Sequence, residues 1–134
     1  MKPFELEIKD GVVISSDLKE KDLQLLEGIE KRDMGNGYVW HSFSSSVSGS
    51  GHMAVQLCFL NGTLDSVHCA LIDPDKYGKD WNDWSEEKEN QRAKDTEKWL
   101  RDIGYPVGNY PWGNIWAGFD AKGGTGSAII RFAL

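Results

Sequence analysis

The side chains that most often carry chemistry are few and widely spaced in this chain. The histidines are His41, His52 and His68, and the cysteines are Cys58 and Cys69. No two of them stand at the short spacings typical of metal sites, such as His-x3-His or Cys-x2-Cys. We therefore expect no metal ion and no other cofactor, and the pattern assigns no catalytic residue.

His52 closes a stretch rich in serine and glycine, Ser44 to His52, which is typical of a flexible connecting loop. A serine beside this histidine could form a Ser/His couple of the kind that hydrolases use. The Gly-x-Ser-x-Gly turn that presents the serine in many hydrolases is absent from the sequence, however. A pocket near His41, His52 and Trp112 stays open as an alternative, either for a small ligand or for hydrolysis.

Two segments imitate ligand-binding loops. Asp73 to Gly78 has acids at its first and third positions and glycine at its sixth, as a calcium loop does, but Tyr77 and Trp84 occupy ligand positions. Lys122 to Ser127 is rich in glycine, but its lysine precedes the glycines, and a strand pattern follows where a phosphate loop needs a helix. We expect a capped turn in the first segment and a hairpin loop in the second.

Six tryptophans are the most unusual feature of the composition. Three of them, Trp40, Trp99 and Trp116, fall on predicted strands or a predicted helix end, where a core position is expected. The other three, Trp81, Trp84 and Trp112, fall in turns or at a helix start. They either clamp these loops to the body of the protein or stand exposed as anchors for a partner. The candidate binding residues are therefore Trp81, Trp84, Trp112, His41 and His52.

The clearest structural signal is a hairpin around Asn61-Gly62, which stands between two apolar runs and favours a two-residue turn with positive φ at both positions. Such a turn places Leu60 opposite Thr63 and Phe59 opposite Leu64. Continued without interruption, this register pairs the inward-facing residues as Leu57 with Ser66, Val55 with His68 and Met53 with Ala70.

The same register predicts the state of the two cysteines. It places Cys58 and Cys69 on one face of the hairpin, displaced by four residues, which is roughly 13 Å at about 3.3 Å per residue. A disulfide requires Cα atoms within about 7 Å. We therefore expect two free thiols and a reducing compartment.

The remaining patterns predict further strands and two helices. Alternation over Phe4 to Ile8 indicates a strand, and an apolar stripe behind Asp17 and Glu20 indicates a helix over residues 18–30. A second capping pattern, Asp83 with Glu86, opens a helix that ends at Gly104, and its polar first half, Ser85 to Lys94, is expected to stand in solvent. Further strands are expected over residues 38–43, 114–121 and 127–133. The fold class predicted is α+β, a mostly antiparallel β meander with two helices packed on one face.

Length and charge narrow the function. The chain has 134 residues, which suits one α+β domain over residues 1–134, and its formal net charge is -6. No basic cluster stands free of acids, so we expect no nucleic-acid binding. No apolar stretch approaches about 18 residues and the N-terminus carries acids, so we expect no membrane insertion, no export and a cytoplasmic location.

The C-terminal half contains four distinctive segments: the run from Trp81 to Glu89, Trp99-Leu100, the run from Tyr110 to Gly113 and the run from Asp120 to Gly124. In these segments it resembles small single-domain bacterial proteins of uncharacterised function. The resemblance implies a bacterial, single-domain, non-catalytic protein and transfers no site residues.

These observations favour binding over catalysis. The leading hypothesis is an acidic interaction protein of the immunity or inhibitor type, which meets a protein partner through its acidic surface or an uncharged sheet face. Self-association is the other possibility, as a homodimer joined through the sheet face predicted to carry Cys58, Val67 and Cys69.

Overall fold

The computed structural model describes residues 4–8, 11–26, 28–47, 51–78 and 81–132. Its strands are β1 (Leu6–Glu7), β2 (Val13–Ile14), β3 (Glu30–Asp33), β4 (Tyr38–Val47), β5 (Gly51–Leu60), β6 (Thr63–Ile72), β7 (Gly108–Tyr110), β8 (Gly113–Asp120) and β9 (Thr125–Phe132). Its α-helices are α1 (Pro74–Tyr77) and α2 (Glu86–Asp102).

Seven strands form one antiparallel sheet in the order β3-β4-β5-β6-β9-β8-β7, and β1 pairs with β2 separately. In this sheet β3, β4, β5 and β6 lie side by side in chain order, and β9, β8 and β7 lie side by side in reverse chain order. Two antiparallel meanders are thus joined where β6 meets β9. The predicted α+β class with a mostly antiparallel meander and two helices is confirmed.

The tight hairpin between β5 and β6 is also confirmed. Asn61 and Gly62 have φ values of 51° and 86°, and Leu60 pairs with Thr63 as predicted. Asparagine and glycine tolerate this left-handed backbone conformation better than other residues, which is why they reverse the chain here.

Beyond the turn, the predicted register is wrong because β6 contains a bulge at Asp65. Phe59 pairs with Leu64, but the next pair joins Cys58 to Ser66, so Asp65 has no opposite residue. An extra residue in one strand reverses the facing of everything that follows it. The observed pairs are Leu57 with Val67, Val55 with Cys69 and Met53 with Leu71.

The bulge decides the two faces of the sheet. We call the face that bears Val55 and Leu57 the inner face, and the face that bears Gln56 and Cys58 the outer face. Val67 and Cys69 lie on the inner face and are buried there, whereas His68 lies on the outer face. The predicted dimerisation face carrying Cys58, Val67 and Cys69 therefore does not exist, because its members point to opposite sides.

The inner face carries the core. Helix α2 covers part of it, and the N-terminal segment, residues 4–8 and 11–26, belongs to the same buried cluster. The side chains that this segment contributes to the cluster are Phe4, Leu6, Ile8, Val12, Ile14, Leu18 and Leu23.

The predicted helix over residues 18–30 is wrong. The chain forms a short 3-10 helix at Glu20–Leu25, turns extended at Leu26, reaches a φ of 73° at Gly28 and enters strand β3. The Lys19 N–H donates to the Asp22 carboxylate, so the cap lies two residues after the one predicted. A three-residue period still directs Leu23 and Leu26 toward the core, which is why the apolar stripe did not distinguish the two helix types.

The predicted flexible loop from Ser44 to His52 is wrong as well. Strand β4 continues to Val47 and β5 begins at Gly51, and residues 48–50 lie outside the described part of the chain. Serine is tolerated in these strands because cross-strand pairing supplies the order; Ser45, for example, is buried opposite Met53.

Helix α2 begins later than predicted. Ser85 caps it by accepting a hydrogen bond from the Lys88 N–H at 3.1 Å, while Asp83 ends a preceding 3-10 helix, Trp81–Asp83. The helix ends close to the predicted Gly104: Asp102 is its last residue, and Gly104 follows the cap with a φ of 103°. Its first half does not stand in solvent, since Glu89 and Ala93 are buried against the sheet.

Candidate functional site

The outer face of the sheet is open where the inner face is covered. α2 and the N-terminal segment both pack on the inner side, and Trp116 on the outer side is 42% exposed. One row of paired residues crosses this face from β8 to β4 and spans about 19 Å, given about 4.8 Å between strands. The row consists of Trp116, Ile129, His68, Gln56 and Ser42.

Two tryptophans give this surface its character. The indole of Trp116 lies against Gly118, since a Cβ built on that glycine would stand only 2.8 Å from the ring. Trp40 packs edge-on against the His68 ring, with centroids 5.0 Å apart. Flat, partly exposed aromatic rings on a rigid sheet are typical of binding surfaces, because they bury area without losing much side-chain freedom.

The outer face carries few charges away from its edge at β3, where Glu30, Lys31 and Arg32 line the surface. Its central strands hold Asp65 and Arg131, with Asp120 where β8 ends. Burial, with a smaller contribution from the positive charge of Arg131, lowers the pKa of His68, so this imidazole is uncharged at neutral pH. The centre of the outer face therefore carries less negative charge than the rest of this acidic chain.

A serine and a histidine do meet on this face. Ser66 Oγ lies 3.3 Å from His68 Nε2. Ser66 is only 3% exposed, however, so a substrate carbonyl has no access to its hydroxyl. The contact is better suited to holding the His68 ring in place than to nucleophilic attack.

Two concavities mark the outer face. A cleft of about 580 Å³ lies beside β3 and is lined by Trp40, Met34 and Arg32, among others. A pocket of about 400 Å³ lies further along, toward the β8–β9 turn, and the two share Ser42 and Gln56.

The predicted site residues are distributed over several surfaces. Trp84 is 40% exposed and its Nε1 donates to the Gly124 carbonyl at 2.7 Å. Trp112 stacks on Tyr110 at 4.8 Å and packs against Phe132 at 5.8 Å, which fits the interpretation of a loop clamp. Trp81 opens the 3-10 helix that precedes α2.

The two predicted histidines lie on opposite faces. His41 is buried on the inner face, where its Nε2 donates to Glu20 Oε2 at 2.9 Å and its ring meets Phe59 edge-on. His52 is exposed on the outer face, five strand positions away, which is roughly 16 Å. The described residues therefore do not form the pocket near His41, His52 and Trp112.

Sequence reasoning missed the importance of Trp116 and Trp40. Both were expected in the core, and only Trp99 is buried there. In β8 an apolar residue stands at both consecutive positions, Ile115 and Trp116, so alternation could not tell which one faces inward.

Both cysteines are free thiols and both are buried, Cys58 under the outer face and Cys69 under the inner face. Burial raises the pKa of Cys69 to about 12 and also raises that of Cys58, so neither forms the reactive thiolate readily. Within the described part of the chain, no three His, Cys, Asp or Glu residues cluster in a way that would hold a metal ion. None of the helices found there has the length and apolar character to cross a bilayer.

The architecture has a counterpart among solved structures. Over 97% of its length, the chain is similar to 83% of a chain in the solved structure "Rhs1-CT in complex with cognate immunity protein RhsI1", with a TM-score of 0.57 and 15% sequence identity. At this identity, the likeness shows a shared fold. No family model and no curated protein sequence matches the chain.

Proposed function

We propose that this chain, as a single domain over residues 1–134, is an immunity-type protein that binds a partner protein and suppresses its activity. The observation that carries the proposal is the open outer face of the sheet, which presents Trp116 and Trp40 and whose central strands carry few charges. The fold likeness supports it, because the similar chain comes from a complex that contains an immunity protein.

The chemistry of the chain supports the immunity role rather than the role of the suppressed protein. His41 is engaged with Glu20, the Ser66–His68 contact is inaccessible, and both thiols are buried. These groups stabilise the fold instead of facing a substrate.

The net charge of -6 favours a basic partner. The acidic side chains lie mainly on the N-terminal segment and on α1 and α2, away from the centre of the outer face. We therefore propose that charge draws the partner toward the protein and that the aromatic surface provides most of the binding energy.

The experiment uses candidate toxic domains encoded beside the gene of this chain. The domain alone is expected to stop growth of a host, and co-expression of this chain is expected to restore it. The purified pair is expected to elute as a one-to-one complex. A pair that forms no complex, or a chain that leaves toxicity unchanged with every neighbouring domain, would contradict the proposal.

Two variants compare the sheet with the loops, because Trp116 and Trp84 have nearly equal exposure, Trp116 on β8 and Trp84 against Gly124 of the β8–β9 turn. We expect Trp116→Ala to weaken the complex by about 30-fold or more, the effect of losing one hot-spot residue. Trp84→Ala is expected to change affinity less than about threefold. The reverse result would move the interface to the candidate loop tryptophans, and equal small effects would exclude both surfaces.

A further inference from the structure

The sheet contains a fork between its two halves. β6 pairs with β9 only where Ser66–Cys69 meets Ala128–Arg131. Beyond these pairs, β6 follows β5 as far as Ile72, while the first residues of β9 follow β8. The two strands therefore separate in the direction of the β8–β9 turn.

Helix α2 closes the inner side of this fork. Thr96 Oγ1 accepts a hydrogen bond from the Leu71 N–H at 3.3 Å, and Glu89 Oε1 accepts one from the Gly126 N–H at 3.0 Å. These two backbone groups belong to the separating strands, so side chains of the helix replace the missing strand partners.

The outer side of the fork is the pocket of about 400 Å³, which we call the fork pocket. Its lining includes the apolar Ala70 and Ile129 together with the polar residues His68, Asp120, Thr125 and Ser127.

Two charged residues, Arg92 and Asp120, line the fork pocket. Arg92 reaches it from α2, but its guanidinium pairs with the buried Glu89 carboxylate at 3.4 Å. Asp120 is exposed where β8 ends, and its Oδ1 accepts a hydrogen bond from the Lys122 N–H in the turn. The guanidinium of Arg92 is thus engaged by Glu89, and Arg131 lies toward the other end of the face, opposite Ser66. The Asp120 carboxylate is the exposed charge of the lining.

We propose that the fork pocket receives one basic side chain, Lys or Arg, of the protein partner. Its aliphatic stem packs on Ala70 and Ile129, and its cationic end binds the Asp120 carboxylate and the nearby hydroxyl groups. This inference rests on the proposed function and deepens it, since it states the chemistry by which a partner is recognised next to the tryptophan surface.

The test requires no partner. The ¹⁵N-labelled full chain is titrated with n-butylammonium, which carries the charge and stem of lysine, and separately with butyrate, which has a similar stem and the opposite charge. We expect saturable shifts of the Ala70, Ser127 and Ile129 amide signals with n-butylammonium and weaker or no shifts with butyrate. Butyrate binding as tightly as n-butylammonium, or no saturable shift with either, would overturn the inference.

Two matched charge variants complete the test. Asp120→Asn keeps the acceptor for the turn and should weaken n-butylammonium binding about tenfold. Asp17→Asn, in the N-terminal segment on the other side of the sheet, removes the same charge from an exposed site and should leave binding unchanged. Equal affinity in both variants would overturn the assignment to Asp120. If n-butylammonium does not bind, the complex with a partner protein can still be measured. If no partner protein is found, the titration can still be measured. Failure of this inference and failure of the proposed function are therefore distinguishable.

Discussion

Glu89 is the residue on which the contact between α2 and the sheet depends most. Its carboxylate is buried, accepts the Gly126 N–H and pairs with Arg92, whose own Nε has no hydrogen-bond partner among the described residues. A buried charge that loses its partner is costly, because nothing in the interior replaces the water it has lost.

We expect Glu89→Gln to lower the free energy of unfolding by about 3 kcal/mol, at the low end for a broken buried pair because Arg92 keeps some exposure. The amide oxygen of the substituted side chain still accepts the hydrogen bond from the Gly126 N–H, so the loss of stability reports mainly the removal of the carboxylate charge. Urea unfolding measures it, with Glu97→Gln on the same helix as the control. A change no larger than that of the control would contradict this account of Glu89.

Gly126 allows the helix to approach the sheet closely. A Cβ at this position would lie 1.7 Å from the Glu89 carbonyl oxygen, so either the helix or β9 must move to accept one. We expect Gly126→Ala to destabilise the fold by about 1–3 kcal/mol or more, as overpacking does. Gly123→Ala, in the exposed β8–β9 turn, is the control in thermal unfolding. Equal melting temperatures for the two variants would show that the helix is not held this close.

Asp95 joins α1 to α2 and gives the protein a pH dependence. Burial opposes ionisation of its carboxyl, but hydrogen bonds from Lys76, Tyr77 and Gln91 outweigh burial and hold its pKa below the ordinary 3.8. The Tyr77 hydroxyl donates to it at 2.5 Å and Lys76 Nζ lies at 2.8 Å. A folded-state pKa below the unfolded one stabilises the protein above pH 3.8, and this stabilisation is lost as the pH falls through the folded value.

We therefore expect Asp95→Asn to cost roughly 1 kcal/mol near neutral pH. The difference from the parent chain should shrink as the pH falls below the unfolded pKa of 3.8. Urea unfolding over this pH range measures it. Asp102→Asn removes an exposed pair with Lys98 and should cost little at any pH. A constant difference for Asp95→Asn across the range would refute the linkage.

At the scale of elements, the bulge in β6 matters most. Asp65 is the unpaired residue, and its presence allows Leu64 and Val67, three positions apart, both to face inward. An uninterrupted strand would put them on opposite faces.

Deletion of Asp65 should lower the free energy of unfolding by about 1 kcal/mol or less. The strand then pairs without a bulge, and the same side chains still face inward. The contact between Val67 and Ile130 on the inner face, seen as a methyl NOE, should persist. Deletion of His68 should cost several times more, since it turns Cys69 and Leu71 outward. If the two deletions cost the same, the bulge does not set the facing of β6.

At the scale of the whole molecule, the sheet divides the protein into a covered side and an open side, and the two thiols report on its integrity. Cys58 and Cys69 are both buried and their raised pKa values disfavour the thiolate. A thiol reagent should therefore react with them only after the molecule opens.

We expect slow labelling of both thiols at about pH 8 in native buffer, with a rate that rises with urea and follows global unfolding. Cys58→Ser and Cys69→Ala each leave a single thiol, so the labelling rates of the inner and outer faces can be measured separately. Immediate labelling of either thiol in native buffer would contradict its burial.

Much of the fold follows from local rules. Asn61-Gly62 reverses the chain because these residues accept positive φ, the alternation in β5 selects its inward side chains, and Gly104 ends α2. Each of these signals depends on neighbours in sequence, so the sequence by itself determined the hairpin, the antiparallel class and the end of the long helix.

The tertiary structure decided the rest, because distant partners compensate for local preferences. One side of the polar first half of α2 is buried because Glu89 meets Gly126, 37 residues away. The bulge at Asp65 reversed which side chains of β6 face inward. Residues 18–30, whose pattern predicts one helix, form a 3-10 helix and the start of β3 because of packing against the sheet. Trp116 became a surface residue because the two apolar positions of β8 could not both face a core that lies on one side. The candidate site therefore came from the arrangement of the sheet, whose open face no local pattern encodes.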